Sequence, residues 1–281
     1  MACRLRDYPV LRRAVEGCKQ FISAGRITVA CPSQDVNPIR FGLRDRANVI
    51  PECSLTPEMD VRKFRAANIP FFPQAFGWYY QQILKMNYAR ATSSSHYLVW
   101  DADTIPLRPL SFFDNDGRVL FTSSKEYHQP YFHTYEQLFG QKPTQTSSFI
   151  SQHILVDRVV MQHLMAEIEG RFQVADWTQG LFQVLTKSPF RENLFSEYET
   201  YVNYFSSRHP HRFAVRSLQW SREENSFTWR VSAHRLQQAA LAGDNFIAFE
   251  SKNALFSRVF LKATERCNSD FLKRLAILIS R

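Results

Sequence analysis

His96-Tyr97-Leu98-Val99-Trp100-Asp101-Ala102-Asp103-Thr104-Ile105-Pro106-Leu107-Arg108-Pro109-Leu110 is the stretch that decides the fold class of this chain. Its opening run, His96 to Trp100, is apolar and of strand length, the pattern of a strand buried on both faces. The run feeds directly into two carboxylates, and Pro106 and Pro109 then prevent the strand continuing. In extended backbone, residues i and i+2 point to the same side, so Asp101 and Asp103 are expected to face one place. That place lies beyond the C-terminal end of the strand, where open α/β sheets bind ligands. Two carboxylates held together repel each other unless a cation or a proton intervenes. Oxygen ligands suit Mg²⁺ or Mn²⁺, completed by water and a diphosphate. The pair is therefore expected to join a divalent metal to a nucleotide diphosphate, neutralising a leaving group as its bond breaks.

The competing reading is a haloacid-dehalogenase-like phosphatase, whose nucleophile also follows an apolar strand, as Asp-x-Asp-x-Thr. Here Thr104 comes one position too early, and Ile105 stands where that hydroxyl is needed. Gly243-Asp244, the late Gly-Asp pair of the chain, has no second Asp close behind it. The phosphatase reading is the weaker of the two.

Outward from the motif, Phe76–Ala91 has helical periodicity, with Trp78, Ile83, Leu84 and Tyr88 on its apolar side. Residues 8–24 place Val10, Leu11, Ala14, Val15, Cys18, Phe21 and Ile22 at helical spacing, and Gly25 follows as a stop. Arg26–Cys31 is a short apolar strand ended by Pro32. A helix followed at once by a buried strand is half of a βαβ unit, whose first strand is expected to be missing here. Residues 33–73 read as irregular, apart from a short strand at Asn48–Ile50. Downstream, Val119–Thr122, Phe149–Val156, Ala214–Leu218 and Phe246–Phe249 read as strands, and Arg158–Glu169 as a helix. Ser196–Phe205 reads as a helix with acids in its first turn, where the dipole favours them. Helix and strand alternate over the first half, so the class is α/β with a helix-rich C-terminal half.

A chain of 281 residues can bury one large core. Its composition, 44% hydrophobic and 22% charged, is that of a folded globular protein and not of a disordered one. The 24 Phe, 11 Tyr and 5 Trp residues point to an aromatic core, from which only a few rings are free to line a sugar or base pocket. A formal charge of +9 favours an anionic partner, whether nucleic acid, anionic lipid or nucleotide diphosphate. No finger spacing and no aromatic RNA-binding strand occurs, so nucleic acid is not an expected partner. The five cysteines are dispersed without metal or redox spacing, which suits a reducing compartment. No apolar leader opens the chain and no apolar run approaches a bilayer span, so a cytoplasmic location is expected. Phe271–Arg281 is short, apolar and basic, and suggests peripheral docking at the inner face of a membrane.

Three blocks together resemble a known family: Gly77-Trp78-Tyr79-Tyr80-Gln81-Gln82-Ile83-Leu84-Lys85, the stretch from Tyr97 to Leu110, and Ser196-Glu197-Tyr198-Glu199-Thr200-Tyr201. In this order and spacing they resemble the bacterial DUF6492 family of glycosyltransferase-like proteins, similar to GT-A enzymes with a DxD motif. The resemblance runs from about Asp7 to about Asn253. It implies a GT-A-like, Rossmann-like mixed sheet flanked by helices, in a single domain over residues 1–281. Within it, residues 1–125 would bind the nucleotide sugar, 126–255 would bind the acceptor, and 256–281 would form a helical tail.

Carried across by residue, the resemblance makes Asp103 a direct ligand of Mn²⁺ or Mg²⁺. Asp101 would touch the sugar or ribose, or reach the metal through water. Gln81 and Lys85 share a helix face and would approach the diphosphate of a UDP- or GDP-sugar, Lys85 otherwise being a packed, snorkelling lysine. Glu197 is the preferred base for an acceptor hydroxyl. Glu197 and Glu199, two apart on a helix, cannot both face the pocket. Trp78, Gln82, His153, Trp177 and Glu199 are the remaining candidates for substrate contact. His153 and Trp177 have the alternative of being packing residues, and the two glutamates that of helix-start acids capped by Ser196. His234 and Ser251-Lys252-Asn253 are candidates for a late metal ligand. The expected function is sugar transfer from a nucleotide-sugar donor to a glycan or lipid-linked acceptor in polysaccharide biosynthesis. The alternatives are an inactive nucleotide- or sugar-binding remnant, motivated by the missing strand, and a peripheral membrane adaptor, motivated by the tail.

Overall fold

A computed structural model describes residues 1–57, 59, 72–224 and 231–250. The tail at 256–281, with its expected membrane contact, lies outside the described residues, as does Ser251-Lys252-Asn253. The described fold is mixed α/β, helices packed around small sheets.

The chain starts beside its own first strand. Ala2 makes a parallel bridge to Ala30 in β1 (Thr28–Cys31). The Ala30 N–H donates to the Met1 carbonyl at 2.9 Å, and the Cys3 N–H to the Ala30 carbonyl at 3.0 Å. The position expected to be empty beside β1 is thus taken, for the length of one bridge, by residues 1–3. Helix α1 (Tyr8–Phe21) has Pro9 in its first turn, where a missing N–H costs nothing, and buries Val10, Leu11, Ala14, Val15 and Cys18.

β1 pairs in parallel with β2 (Asn48–Pro51). Between them lies α2 (Val36–Leu43), in a stretch that reads as irregular from sequence. Pro38 obscures it, but sits in the first turn, where a backbone N–H has no intrahelical partner to lose. Val36, Ile39 and Leu43 turn inward from it.

Helix α3 (Phe72–Ala91) carries Tyr79, Tyr80, Ile83, Leu84, Met86 and Ala89 into the main core and leads to β3 (His96–Trp100). The family resemblance implies one mixed sheet. Among the described residues the strands instead form four small hydrogen-bonded sheets. β3 runs antiparallel to β6 (His153–Asp157). The chain resumes after the aspartates as β4 (Thr104–Pro106), antiparallel to β9 (Phe246–Glu250), which pairs in parallel with β8 (Trp220–Glu224). Pro106 is tolerated because β4 is an edge strand. β5 (Val119–Thr122) pairs in parallel with β7 (Phe213–Arg216).

The later half is helical. α4 (Gln129–Phe139), α5 (Arg158–Phe172), α6 (Trp177–Thr186) and α7 (Glu197–Arg208) pack on one another around Tyr135, Leu164, Trp177, Leu181, Tyr201 and Phe205. Each of the last three starts at a side-chain cap: Asp157, Asp176 and Ser196 accept backbone N–H groups of their own first turns. α8 (Ala233–Leu241) is capped the same way by Ser232. Among the described residues, no helix is long and apolar enough to cross a membrane.

Candidate functional site

Asp101 and Asp103 sit in a tight turn between β3 and β4, not on extended backbone. The Thr104 N–H donates back to the Asp101 carbonyl at 3.1 Å, and the Trp100 indole donates to the Thr104 carbonyl at 2.7 Å. Two further bonds fix the turn from outside: the Asp101 N–H donates to the Gln152 carbonyl, and the Phe249 N–H to the Asp103 carbonyl, both at 2.9 Å. Both aspartates are half-buried. Burial first, then Asp101, Glu197 and least of all Asp103, raise the proton affinity of the Tyr198 hydroxyl.

Lys85 projects from the middle of α3 into this region. Its Nζ lies 2.5 Å from Asp101 Oδ1 and 2.7 Å from Glu197 Oε1. It also lies 5.0 Å from the centre of the Tyr198 ring. Burial works against the ammonium, but the two carboxylates outweigh it and raise the Lys85 pKa. The effect on Glu197 is the reverse: burial raises its pKa, and Lys85 offsets only part of the rise.

Glu197 is the first residue of α7, and its N–H donates to Gln82 Oε1 at 2.9 Å. Gln82 is thus buried and spent on holding the start of α7 against α3. Gln81, one residue back, donates to the Ala2 carbonyl at 3.0 Å. Four of the candidates therefore form one assembly: Gln82 holds Glu197, Glu197 holds Lys85, and Lys85 holds Asp101.

Glu199 faces elsewhere. Its Oε1 accepts the Ser148 hydroxyl at 2.5 Å and the Phe149 N–H at 2.9 Å. Its Oε2 is buried without a hydrogen-bond partner, and burial pushes the carboxyl up to about 7. His153 lies behind the turn, stacked on Trp100 at 5.1 Å with its Nε2 3.1 Å from Thr122 Oγ1. Burial first, then Arg216, pushes its pKa down to about 3, so the ring is neutral. Trp177 is fully buried, its indole donating to Asn87 Oδ1 at 2.7 Å. Trp78 is half-buried and stacks on Tyr131 with centroids 6.1 Å apart. His234 is exposed near the start of α8.

The structure adds residues that the sequence did not single out. Gln152 occupies left-handed backbone, φ 65°, in the loop before β6. With its amide turned so that each end meets a complementary partner, its carboxamide donates to Asp101 Oδ2 at 3.0 Å and accepts from Arg222 at 2.9 Å. Arg222 also pairs with Glu126 at 2.6 Å. The apolar pattern of Phe149–Val156 reads as one strand, yet only His153 onward joins β6, and this hid the loop. Tyr198 lies inside the Ser196–Tyr201 block, where its aromatic character alone suggests packing.

Among the described residues, no group of three or more His, Cys, Asp or Glu side chains gathers to hold a metal. Among the described residues the turn offers a cation the carboxylates of Asp101 and Asp103, to which a phosphate or water would add oxygen ligands. No curated protein matches the chain. The model of a family of unknown function, DUF6492, matches residues 13–254, and this chain belongs to that family.

Proposed function

We propose that this protein is a metal-dependent glycosyltransferase of GT-A type, acting on a nucleotide-sugar donor and a glycan or lipid-linked acceptor. The observation that carries the reading is the charge around the turn. Asp101 and Glu197 converge on one buried ammonium, Lys85, and Asp103 stands in the same turn as Asp101. Hard oxygen donors of this kind suit Mn²⁺ or Mg²⁺. Two carboxylates in one turn suit an ion shared with a diphosphate, as Mg²⁺ commonly is.

Asp103 would hold the metal, and Asp101 the metal or the sugar. The metal, when bound, would supply charge stabilisation to the departing diphosphate. Lys85, in contact with Asp101, would approach the same phosphates. Glu197 is a desolvated carboxylate whose proton affinity is restrained by Lys85. As Lys85 turned to a phosphate, that restraint would relax and Glu197 could accept the proton of an acceptor hydroxyl. Gln81 and Gln82 frame this face of α3, and the half-buried Trp78 offers an aromatic edge to a sugar.

The test is a panel of UDP- and GDP-sugars incubated with purified protein and Mn²⁺ or Mg²⁺. Donor hydrolysis or transfer should require the metal and disappear in Asp103→Ala. Tight nucleotide binding without turnover would favour a binding module instead. Turnover that persists in Asp103→Ala would remove the turn from the chemistry.

A further inference from the structure

Gln152 has a conformation that its own sequence does not favour. A φ of 65° places it in the left-handed region, which side-chain-bearing residues other than Asn and Asp avoid. Such backbone persists where surrounding contacts hold it, and it clusters at functional sites. Here the contacts converge on a single residue. The Gln152 carbonyl accepts the Asp101 N–H at 2.9 Å, and its carboxamide NH₂ donates to Asp101 Oδ2 at 3.0 Å.

We propose that Gln152 is the positioning residue for the Asp101 carboxylate, held in register by Arg222 and Glu126. The carboxamide oxygen accepts from Arg222 Nη2 at 2.9 Å, and this decides which end of the amide meets Asp101. Turned round, the amide would set its oxygen against a carboxylate and its NH₂ against a guanidinium. Arg222 in turn lies 2.6 Å from Glu126 Oε1. The chain Glu126–Arg222–Gln152–Asp101 thus joins the loop after β5, strand β8 and the loop before β6 to the turn.

The choice of an amide has a chemical consequence. Lys85 already neutralises Asp101 at Oδ1. Were Arg222 to pair directly with Oδ2, two cations would share one carboxylate, and little charge would remain for a ligand. The neutral amide orients Oδ2 and keeps Arg222 one group away, so Asp101 stays available to a cation. Outer groups of this kind set the orientation of metal-binding carboxylates, and their loss lowers metal affinity by about tenfold or more.

The functional part of this inference rests on the metal–diphosphate reading, and the experiment separates the two. Mn²⁺ affinity is measured in the presence of UDP or GDP for the wild type, Gln152→Ala, Gln152→Gly and Arg222→Met. Metal-free crystal structures of the same proteins accompany the titrations. Both residue 152 variants should bind Mn²⁺ about tenfold more weakly or worse, with the Asp101 carboxylate displaced. Glycine accepts φ 65° without strain, so Gln152→Gly should fold well and still lose affinity. Arg222→Met, which frees the same carboxamide from outside the loop, should weaken binding in the same direction and by less. Wild-type affinity in Gln152→Gly, or an unmoved Asp101 in both residue 152 variants, would overturn the proposal. If the wild type binds no Mn²⁺ with either nucleotide, the metal reading falls. The position of Asp101 in the metal-free structures then decides the positioning role alone.

Discussion

Lys85 and Glu197, 112 residues apart in sequence, meet at 2.7 Å in the interior, and the same ammonium lies 2.5 Å from Asp101. This is the join between α3, the start of α7 and the β3–β4 turn. Each of the Lys85 and Glu197 side chains keeps less than a tenth of its surface in solvent. Replacing Lys85 with Met removes the cation and leaves the buried Glu197 carboxylate and the half-buried one of Asp101 without it. A buried pair broken from one side costs about 3–5 kcal/mol. We expect Lys85→Met to lower the urea midpoint accordingly, and Glu197→Gln to cost far less in the Lys85→Met background than alone. Equal costs in both backgrounds would show that the two side chains are not coupled.

Gly17 governs the seat of the turn from the other side. It lies in α1, where a Cβ would meet Pro106 Cδ at 2.9 Å and the Pro106 carbonyl at 3.0 Å. Pro106 ends β4, the short strand that follows the two aspartates. In an open helix position Gly→Ala stabilises by about 0.5–1 kcal/mol. Here the methyl group has to push a proline ring and a backbone oxygen, and overpacking of this kind costs about 1–3 kcal/mol. Gly17→Ala is therefore expected to lower the thermal midpoint, against the helix-propensity rule. A rise in that midpoint would mean that α1 and β4 separate freely.

Trp177 tests the difference between a packing ring and a sugar-stacking one. It is fully buried, and its indole N–H satisfies Asn87 Oδ1 at 2.7 Å. Trp177→Phe leaves that amide oxygen buried without this donor, at a cost of about 1–3 kcal/mol. The loss should appear as reduced stability in denaturant, with donor-sugar KM little changed. A raised KM at unchanged stability would return Trp177 to the substrate.

What could be read from the sequence divides along physical lines. His96–Trp100, Val119–Thr122 and α3 were legible because burial on both faces, or on one helical stripe, leaves a composition signal. α2 and α4 were not: each is shorter than α1, so a first-turn proline, which as punctuation reads like a loop, leaves less of the apolar stripe to outweigh it. Strand pairing was not legible at all, because β3 pairs with a strand more than fifty residues on and β4 with one still later. Within the site, the two aspartates stand out as charges at the end of an apolar run. Lys85 and Glu197 were visible as charged residues on helices, but their contact with each other was not. Gln152 gives no signal: a glutamine within an apolar run looks like a solvent-facing strand residue, and a left-handed φ is invisible in a non-glycine residue.

Glu199 gives the molecule a pH dependence of a definite sign. Its carboxyl is 1% exposed and accepts two hydrogen bonds on Oε1, while Oε2 has none. Burial pushes its folded pKa up to about 7, above the value of 4.5 that applies when the chain is unfolded. Between those values the folded state holds more protons than the unfolded state, so stability falls as pH rises from about 4.5 through about 7. The full difference is on the order of 3 kcal/mol. Glu199→Gln keeps an oxygen acceptor for Ser148 and Phe149 and removes the charge. It should therefore match the wild type near pH 4.5 and exceed it in urea midpoint at pH 8. The comparison of the two pH profiles isolates this residue from His153, whose depressed pKa makes stability fall in the opposite direction, as pH drops from 6.5 towards about 3, in both proteins alike. Parallel profiles for the wild type and Glu199→Gln would mean that Glu199 is ionised in the folded state at neutral pH. The buried Oε2 would then need a donor.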